Sequence, residues 1–424
     1  MPQFSVITTV DDAMHVHEAF ASLIAQTTDD WEWLLAVSSG TVVPQVIIDD
    51  ARVHVIDLPD SVRQGGPAAW KRYAVEQSSG EYLTELDEHD MLLPTALDKI
   101  GAELAESDAG LVYTDFALVP VAGAPSGYLP EFGWENAEML VDDRRFRAVG
   151  GFDPDAASLH LIDYAPSHGV TWTRNAYYAA GGHQTGTGTA DTYDLVVRTY
   201  LNGIELRRVA EPLVLSRQHA FKQHDRELEQ RMANTYVYEL IAAWARRNDL
   251  ALLDLGAAHN PEPGYQAVDL EDAEINCDIR FGLPVPDGSV GVIRAHDFLE
   301  HMNSCPDSTC KHGADGQPRC AVGIINDFYR ALAPGGWVIT KTPSSEGRGA
   351  FQDPTHVSYW NPNSFWYYTR RDQARFIRGI ECRFQGTRVW QSFPDDWHRE
   401  NNILYVYADL VALKGQRQPG RCEI

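Results

Sequence analysis

Tyr82-Leu83-Thr84-Glu85-Leu86-Asp87-Glu88-His89-Asp90 runs from an apolar strand directly into a cluster of acids and one histidine. Charged residues at the carboxyl end of a parallel strand mark where an α/β sheet opens to its ligand. Asp87 and His89 are two positions apart, so a short turning segment can aim both at one hard cation. Carboxylate plus imidazole suits Mn2+ or Mg2+, and such an ion would hold a diphosphate.

The flanking sequence supplies the rest of such a sheet. Phe4 to Thr9, Trp31 to Val37, Val53 to Ile56, Tyr82 to Leu86 and Gly110 to Asp115 carry apolar strand patterns. Between them lie helical stretches: one capped by Asp11 or Asp12 and running towards Gln26, one opened by Pro67 and one opened by Pro94. Alternation of this kind predicts a mostly parallel sheet covered by helices. Residues 116 to about 220 are less regular, with a helical stretch near Asp194 to Leu201. A polar helix from about Lys222 to Arg247 reads as a connector packed on one face.

At 424 residues the chain is long for one core, and its 44% apolar share is that of a globular protein. No apolar run reaches membrane-spanning length, and the amino terminus enters a strand without a signal-like block. A cytoplasmic protein is the expectation. The formal charge of −25 argues against nucleic acid as a partner. Handling an anionic nucleotide then requires local compensation from a metal or helix amino termini.

Together, the residues up to about 220 resemble the family-2 glycosyltransferases of the GT-A fold. The resemblance rests on Ala21-Ser22-Leu23-Ile24-Ala25-Gln26-Thr27 before Trp31-Glu32, Gly80-Glu81-Tyr82 leading into Leu86-Asp87-Glu88-His89-Asp90, and Tyr113-Thr114-Asp115. Gly181-Gly182-His183, Asp191-Thr192-Tyr193-Asp194-Leu195 with Arg198, and Arg217-Gln218-His219 follow in the family's order. It implies an inverting transfer from a nucleotide-sugar, UDP- or GDP-linked, with a metal held by Asp87, His89 and a later ligand at His219. Such a transfer needs a carboxylate to take the acceptor hydroxyl's proton. The family's acidic pair falls on Asp191-Thr192, which makes Asp191 the candidate base and Asp194 the alternative. Lys71 stands where the family has an arginine, and either reaches a phosphate or solvates its helix face. Trp172 and Arg174 are candidates for sugar contact or for structure. The acids that usually follow the second strand and contact the nucleotide base are missing from Ala36-Val37-Ser38-Ser39-Gly40-Thr41.

From Leu250 a second strand–loop–helix pattern begins. Leu252 to Gly256, Gln266 to Asp269, Val290 to Ala295 and Trp337 to Thr340 read as strands. Ala321 to Leu332 reads as a helix, Pro334-Gly335-Gly336 as a turn, and Arg388 to Gln391 with Leu404 to Leu410 as a closing hairpin. With Asp254-Leu255-Gly256, Asp269, Asp278, Leu283 to Ser289, Leu299-Glu300-His301 and Leu332 to Gly336, this part resembles class I methyltransferases that use S-adenosylmethionine. The resemblance implies cofactor contacts from Asp254, Gly256, Asp269 and Asp278. His296 and His356 are candidate bases for methylating a hydroxyl, with Gln352 to Trp360 as a lid.

Cys305-x4-Cys310-x-His312-x7-Cys320 holds three of the six cysteines, either as zinc ligands or as thiols of an inserted loop. The expectation is therefore an α/β chain of two successive Rossmann-like modules: 1–221 GT-A-like, 222–249 a helical connector, 250–424 methyltransferase-like. It would be a bifunctional enzyme acting on a glycan or protein acceptor, with fusion raising the local concentration of one product at the next site. The competing expectation is a glycan- or nucleotide-binding protein whose first half is inactive.

Overall fold

The computed structural model describes residues 2–121, 127–161, 166–217, 223–306, 310–313, 316–415 and 419–420. The chain divides into two compact units, Met1–Leu240 and Ile241–Ile424. The division falls inside one continuous helix, Gln223–Arg247, the stretch expected to be a helical connector.

The first unit is built on a ten-stranded sheet. Its strands are β1 (Phe4–Val10), β2 (Trp31–Val37), β3 (Val53–Ile56), β4 (Tyr82–Glu85), β5 (Met91–Leu92), β6 (Ala109–Val119), β7 (Glu135–Val141), β8 (Arg144–Gly150), β9 (Thr171–Thr173) and β10 (Glu205–Arg217). The order is β3-β2-β1-β4-β9-β6-β10-β5, with β8 also paired to β6 and β7 to β8. The β3-β2-β1-β4 half is parallel, as expected. The other half corrects the mostly parallel expectation. The three-residue β9 wedges between β4 and β6 and runs antiparallel to both, β5 is an antiparallel edge on β10, and β8 pairs antiparallel with β6 and β7.

Strand β2 is buried along its whole length, which explains its near-continuous apolar sequence. Its one acid, Glu32, is buried too, and its Oε1 accepts from Ser5 Oγ at 2.7 Å and the Ser79 amide at 2.6 Å. Helix Gly66–Gln77 starts where Pro67 predicts, with Ala68, Trp70, Ala74 and Val75 buried. The first helix does not start on Asp11 or Asp12. It spans Val16–Ile24 without a side-chain cap; the Asp12 carboxylate accepts instead from the Met14 amide, and the amides of Asp11 and Asp12 donate to Glu88.

The second unit carries a seven-stranded sheet of β11 (Ala251–Leu255), β12 (Gln266–Asp269), β13 (Ile275–Asn276), β14 (Val290–His296), β15 (Leu332–Pro343), β16 (Phe384–Ser392) and β17 (Tyr405–Ala412). The order is β13-β12-β11-β14-β15-β17-β16. Strands β11 to β15 pair in parallel, and the terminal β16–β17 hairpin is antiparallel. Pro334-Gly335-Gly336 is a bulge inside β15 rather than a free turn. Pairing with β14 slips from Leu332 to Trp337 there, and Gly335 has φ +78°. Helix Ala321–Ala331 buries Ile324, Ile325 and Phe328 in the core of this unit.

Candidate functional site

The loop after β4 is pinned from two sides and closed by an internal turn, which fixes the direction of its tip. Glu88 accepts from the amides of Asp11 and Asp12, tying it to the end of β1. Asp90 Oδ1 accepts from the Arg217 amide, tying it to the end of β10. Asp87 Oδ1 accepts from the His89 amide at 2.9 Å, a short turn that closes the tip, and His89 Nε2 lies 3.4 Å from Glu88 Oε1. Asp87 itself remains exposed.

Electrostatically the loop is short of positive charge. Burial, and then the neighbouring Asp87 charge, pushes Glu88 up to about 7 and Asp90 well above the carboxylate range. A divalent ion on Asp87 and His89 would relieve this field, and the oxygen and imidazole donors suit Mn2+ or Mg2+. The His15 ring also stands edge-on to His89, with centroids 5.6 Å apart. The third expected ligand, His219, lies outside the described residues.

Beneath this loop, Lys71 on helix Gly66–Gln77 reaches Glu85 at 2.8 Å, Thr192 Oγ1 at 2.9 Å and Asp191 Oδ2 at 3.0 Å. Glu85 also accepts from Thr192 Oγ1 at 2.7 Å and from His183 Nε2 at 2.8 Å. That bond leaves His183 Nδ1 to accept from the Tyr177 hydroxyl at 2.9 Å. Burial alone would lower the Lys71 ammonium, but Asp191 and then Glu85 hold it well above the lysine range. Burial likewise opposes ionisation of Glu85, yet Lys71 and His183 hold it well below the carboxylate range.

These contacts correct the expectation for Lys71. Its ammonium is spent on two buried carboxylates, leaving neither a phosphate ligand nor a solvated helix face. Asp194, the alternative base, is equally committed: it pairs with Arg198 at 2.6 Å and accepts from the Tyr236 hydroxyl. Asp191, at the first turn of helix Asp191–Leu201, pairs with Lys71 at 3.0 Å and approaches His183 at 3.9 Å. Trp172 and Arg174 are structural. Trp172 is buried and donates to Thr199, and Arg174 donates to Gly80 O and Ser78 Oγ.

In the second unit the strand order reverses between β11 and β14, the point where an open parallel sheet forms its ligand crevice. Gly256 follows β11 with φ +74°, and a Cβ there would come within 2.9 Å of the Phe298 ring. Asp269, at the end of β12, receives the Ala258 amide at 3.1 Å and is half-buried. Asp254 and Asp278 are occupied by the protein itself. Asp254 pairs with Arg294 at 2.8 Å and caps the Glu262 amide, and Asp278 pairs with Arg280 at 2.7 Å. Both therefore shape the loop around the crevice, where direct cofactor contact was expected.

The two candidate bases separate. Burial, with Arg294 and Lys341 adding to it, lowers His296 to about 3, far from the range of an effective general base. His356 donates from Nδ1 to Ala350 O, which leaves Nε2 as its acceptor. It gathers with His301 and the buried Glu300, with ligand atoms within 4.8 Å of one another. Glu300 and His301 had been noticed only as part of a motif, since nothing in sequence spacing links them to His356. Trp360, expected in a lid, is buried core, whereas Phe351 and Tyr359 are exposed and packed together.

Residues 6–150 match the family model described as Glycosyl transferase family 2. This segment is a family 2 glycosyltransferase domain. Among curated proteins, the chain is similar to the O-antigen biosynthesis protein RfbC of Myxococcus xanthus, with 25% identity over 228 residues. That alignment covers 51% of this chain and only 16% of the relative. Among solved structures, S. aureus TarS 1-349 has 16% identity and a TM-score of 0.43 over 59% of this chain and 71% of that one. The mannosyltransferase PcManGT from Pyrobaculum calidifontis, in complex with GDP-Man and Mn2+, has 16% identity and a TM-score of 0.36 over 58% and 64%. The glycosyltransferase domain thus contains the β4 tip with Asp87 and His89, while Asp191 and His183 lie beyond the matched residues. No described helix is long and apolar enough to cross a membrane.

Proposed function

We propose that the first unit transfers a sugar from a UDP- or GDP-linked donor to a glycan or protein acceptor with inversion at the anomeric carbon. The observation that carries this is the family 2 match over a sheet whose β4 tip carries Asp87 and His89 in one short turn. When bound there, Mn2+ or Mg2+ supplies positive charge to the departing diphosphate. The chain's own residues do the rest. Asp191 accepts the proton of the acceptor hydroxyl as its oxygen attacks the anomeric carbon, and the bond to the nucleoside diphosphate breaks with its electron pair leaving on phosphate. Lys71 pairs with Asp191 and fixes the position of its carboxylate, and Glu85 with His183 holds Lys71 in place.

We infer a second activity for the other unit. Gly256 at the switch point leaves room for a cofactor's close approach, and Asp269 one strand away is suited to a ribose. We infer an S-adenosylmethionine-dependent methyltransferase acting on a hydroxyl, with His356 rather than His296 as its base. The test is a panel of UDP- and GDP-sugars incubated with the purified chain and Mn2+, alongside calorimetric titration of S-adenosylmethionine. Nucleotide release with at least one donor, and cofactor binding, are expected. Cofactor binding without release from any donor would favour the binding-protein alternative, for which Thr192 in the acidic pair is the argument.

A further inference from the structure

We propose that Cys305, Cys310, His312 and Cys320 bind one structural zinc ion in the second unit, independently of either transferase activity. Their ligand atoms lie within 4.8 Å of one another although the residues span a long excursion between β14 and helix Ala321–Ala331. Ligands at about 2.3 Å around a tetrahedral zinc stand roughly 3.8 Å apart. Cys310 and Cys320 sulfurs are 3.8 Å apart, and Cys305 Sγ is 3.9 Å from His312 Nδ1. His312 Nδ1 to Cys320 Sγ is shorter, at 3.1 Å. The sulfur separation is nearly twice a disulfide bond, so the pair is arranged around a centre rather than towards each other.

Three further features belong to a built site. His312 donates from Nε2 to the Arg378 carbonyl at 2.8 Å, which fixes the tautomer with Nδ1 as the ligand. Its ring occupies space that only glycine leaves open: a Cβ at Gly379 would come within 2.2 Å of His312 Cδ2, and Gly379 has φ +82°. The thiolates are also supported by amides. His312 N donates to Cys310 Sγ at 3.4 Å, and the Val322 and Gly323 amides at the helix amino terminus point at Cys320. Three thiolates and one neutral imidazole around a dication leave a single net negative charge, for which these amides are the matching donors. The neck of the excursion is closed by the Ala321 amide on Asn303 O and the Arg319 amide on Arg280 O. A structural ion at its head would staple it to the segment carrying Arg378.

The test is elemental analysis of the purified full-length chain after dialysis against EDTA. One zinc per chain is expected, with most of it lost in Cys310→Ser and His312→Ala and kept in Cys277→Ser. Gly379→Ala, which displaces the ring without removing a ligand, should release zinc to a chromogenic chelator about ten-fold faster or more. Because serine variants can fail to fold, the wild-type chain is also produced with cobalt, where tetrahedral d–d bands and thiolate charge transfer are expected. Absence of bound metal, a different metal at one equivalent, zinc retained by both ligand variants, or a Cys310–Cys320 disulfide by mass spectrometry would overturn the assignment.

Discussion

Lys71 Nζ sits 3.0 Å from Asp191 Oδ2, joining helix Gly66–Gln77 to the first turn of helix Asp191–Leu201 across a buried interface. The same ammonium holds Glu85 at 2.8 Å, so one cation serves two buried acids. Removing it strands both. Lys71→Met should destabilise the first unit by about 3–5 kcal/mol, read from the urea midpoint. Adding Glu85→Gln to that variant removes one uncompensated charge and should recover part of the loss. A neutral response to the single change would show that this network carries no structural weight.

Asp191 and Asp194 are three residues apart, yet their surroundings assign them different work. Asp191→Asn should leave the fold intact and lower nucleotide release from the preferred donor by about 100-fold or more, the loss expected for a general base. Asp194→Asn instead frees Arg198 and Tyr236, and should act mainly on thermal stability. Equal kinetic losses without destabilisation in both variants would count against this division.

Gly256 has a left-handed backbone against the Phe298 ring. Gly256→Ala should cost about 1–2 kcal/mol from backbone strain, before any steric displacement of Phe298. Asp269→Asn, which keeps an acceptor for the Ala258 and Leu270 amides, should change stability little and weaken S-adenosylmethionine binding. Calorimetry and thermal melts of the two variants separate the effects, and unaltered cofactor affinity in Asp269→Asn, as in Asp269→Ala, would argue against the contact.

Two imidazoles contribute acid sensitivity, against the raised carboxyls of Glu88 and Asp90, which titrate with the opposite sign. Burial lowers His168 to about 3, with its ring stacked on Phe116 at 3.8 Å, and burial with Arg294 and Lys341 lowers His296 to about 3. Both are neutral in the fold and ionise near 6.5 when unfolded, so the unfolded chain binds more protons between these values. Their contribution is present above about pH 6.5 and is lost as pH falls towards 3, at up to about 1.4 kcal/mol per pH unit for each group. Comparing urea midpoints at about pH 7 and about pH 5, His296→Gln should lose less, or gain more, on acidification than the wild type. An unchanged slope in that variant would show that His296 does not contribute.

Much of this was legible in sequence where local pattern and burial agree. Val53–Ile56, Trp31–Val37 and the Pro67-led helix fall where apolar runs and proline place them. The mixed half of the first sheet was not, because β9 is only three residues long and its direction is set by tertiary pairing. The β7–β8 hairpin was overlooked, although Asp142-Asp143, at φ +48° and +62°, is the kind of two-residue turn that signals one. Asp87 and His89 declared themselves by adjacency. Partners such as Lys71 with Asp191, or His356 with Glu300, meet only through the fold. The cysteine set is intermediate: its residue types suggested metal, but its spacing gave no geometry until Gly379 and Arg378 were seen to seat His312.

The most direct test is titration of Mn2+-dependent donor binding for the wild type, Asp87→Ala and His89→Ala, using the nucleotide-sugar that gives most nucleotide release. The wild type should bind the donor only with Mn2+, and each variant should lose that dependence while melting at the wild-type temperature. Mn2+-dependent binding retained by both variants would contradict the assignment of the β4 tip as the donor site.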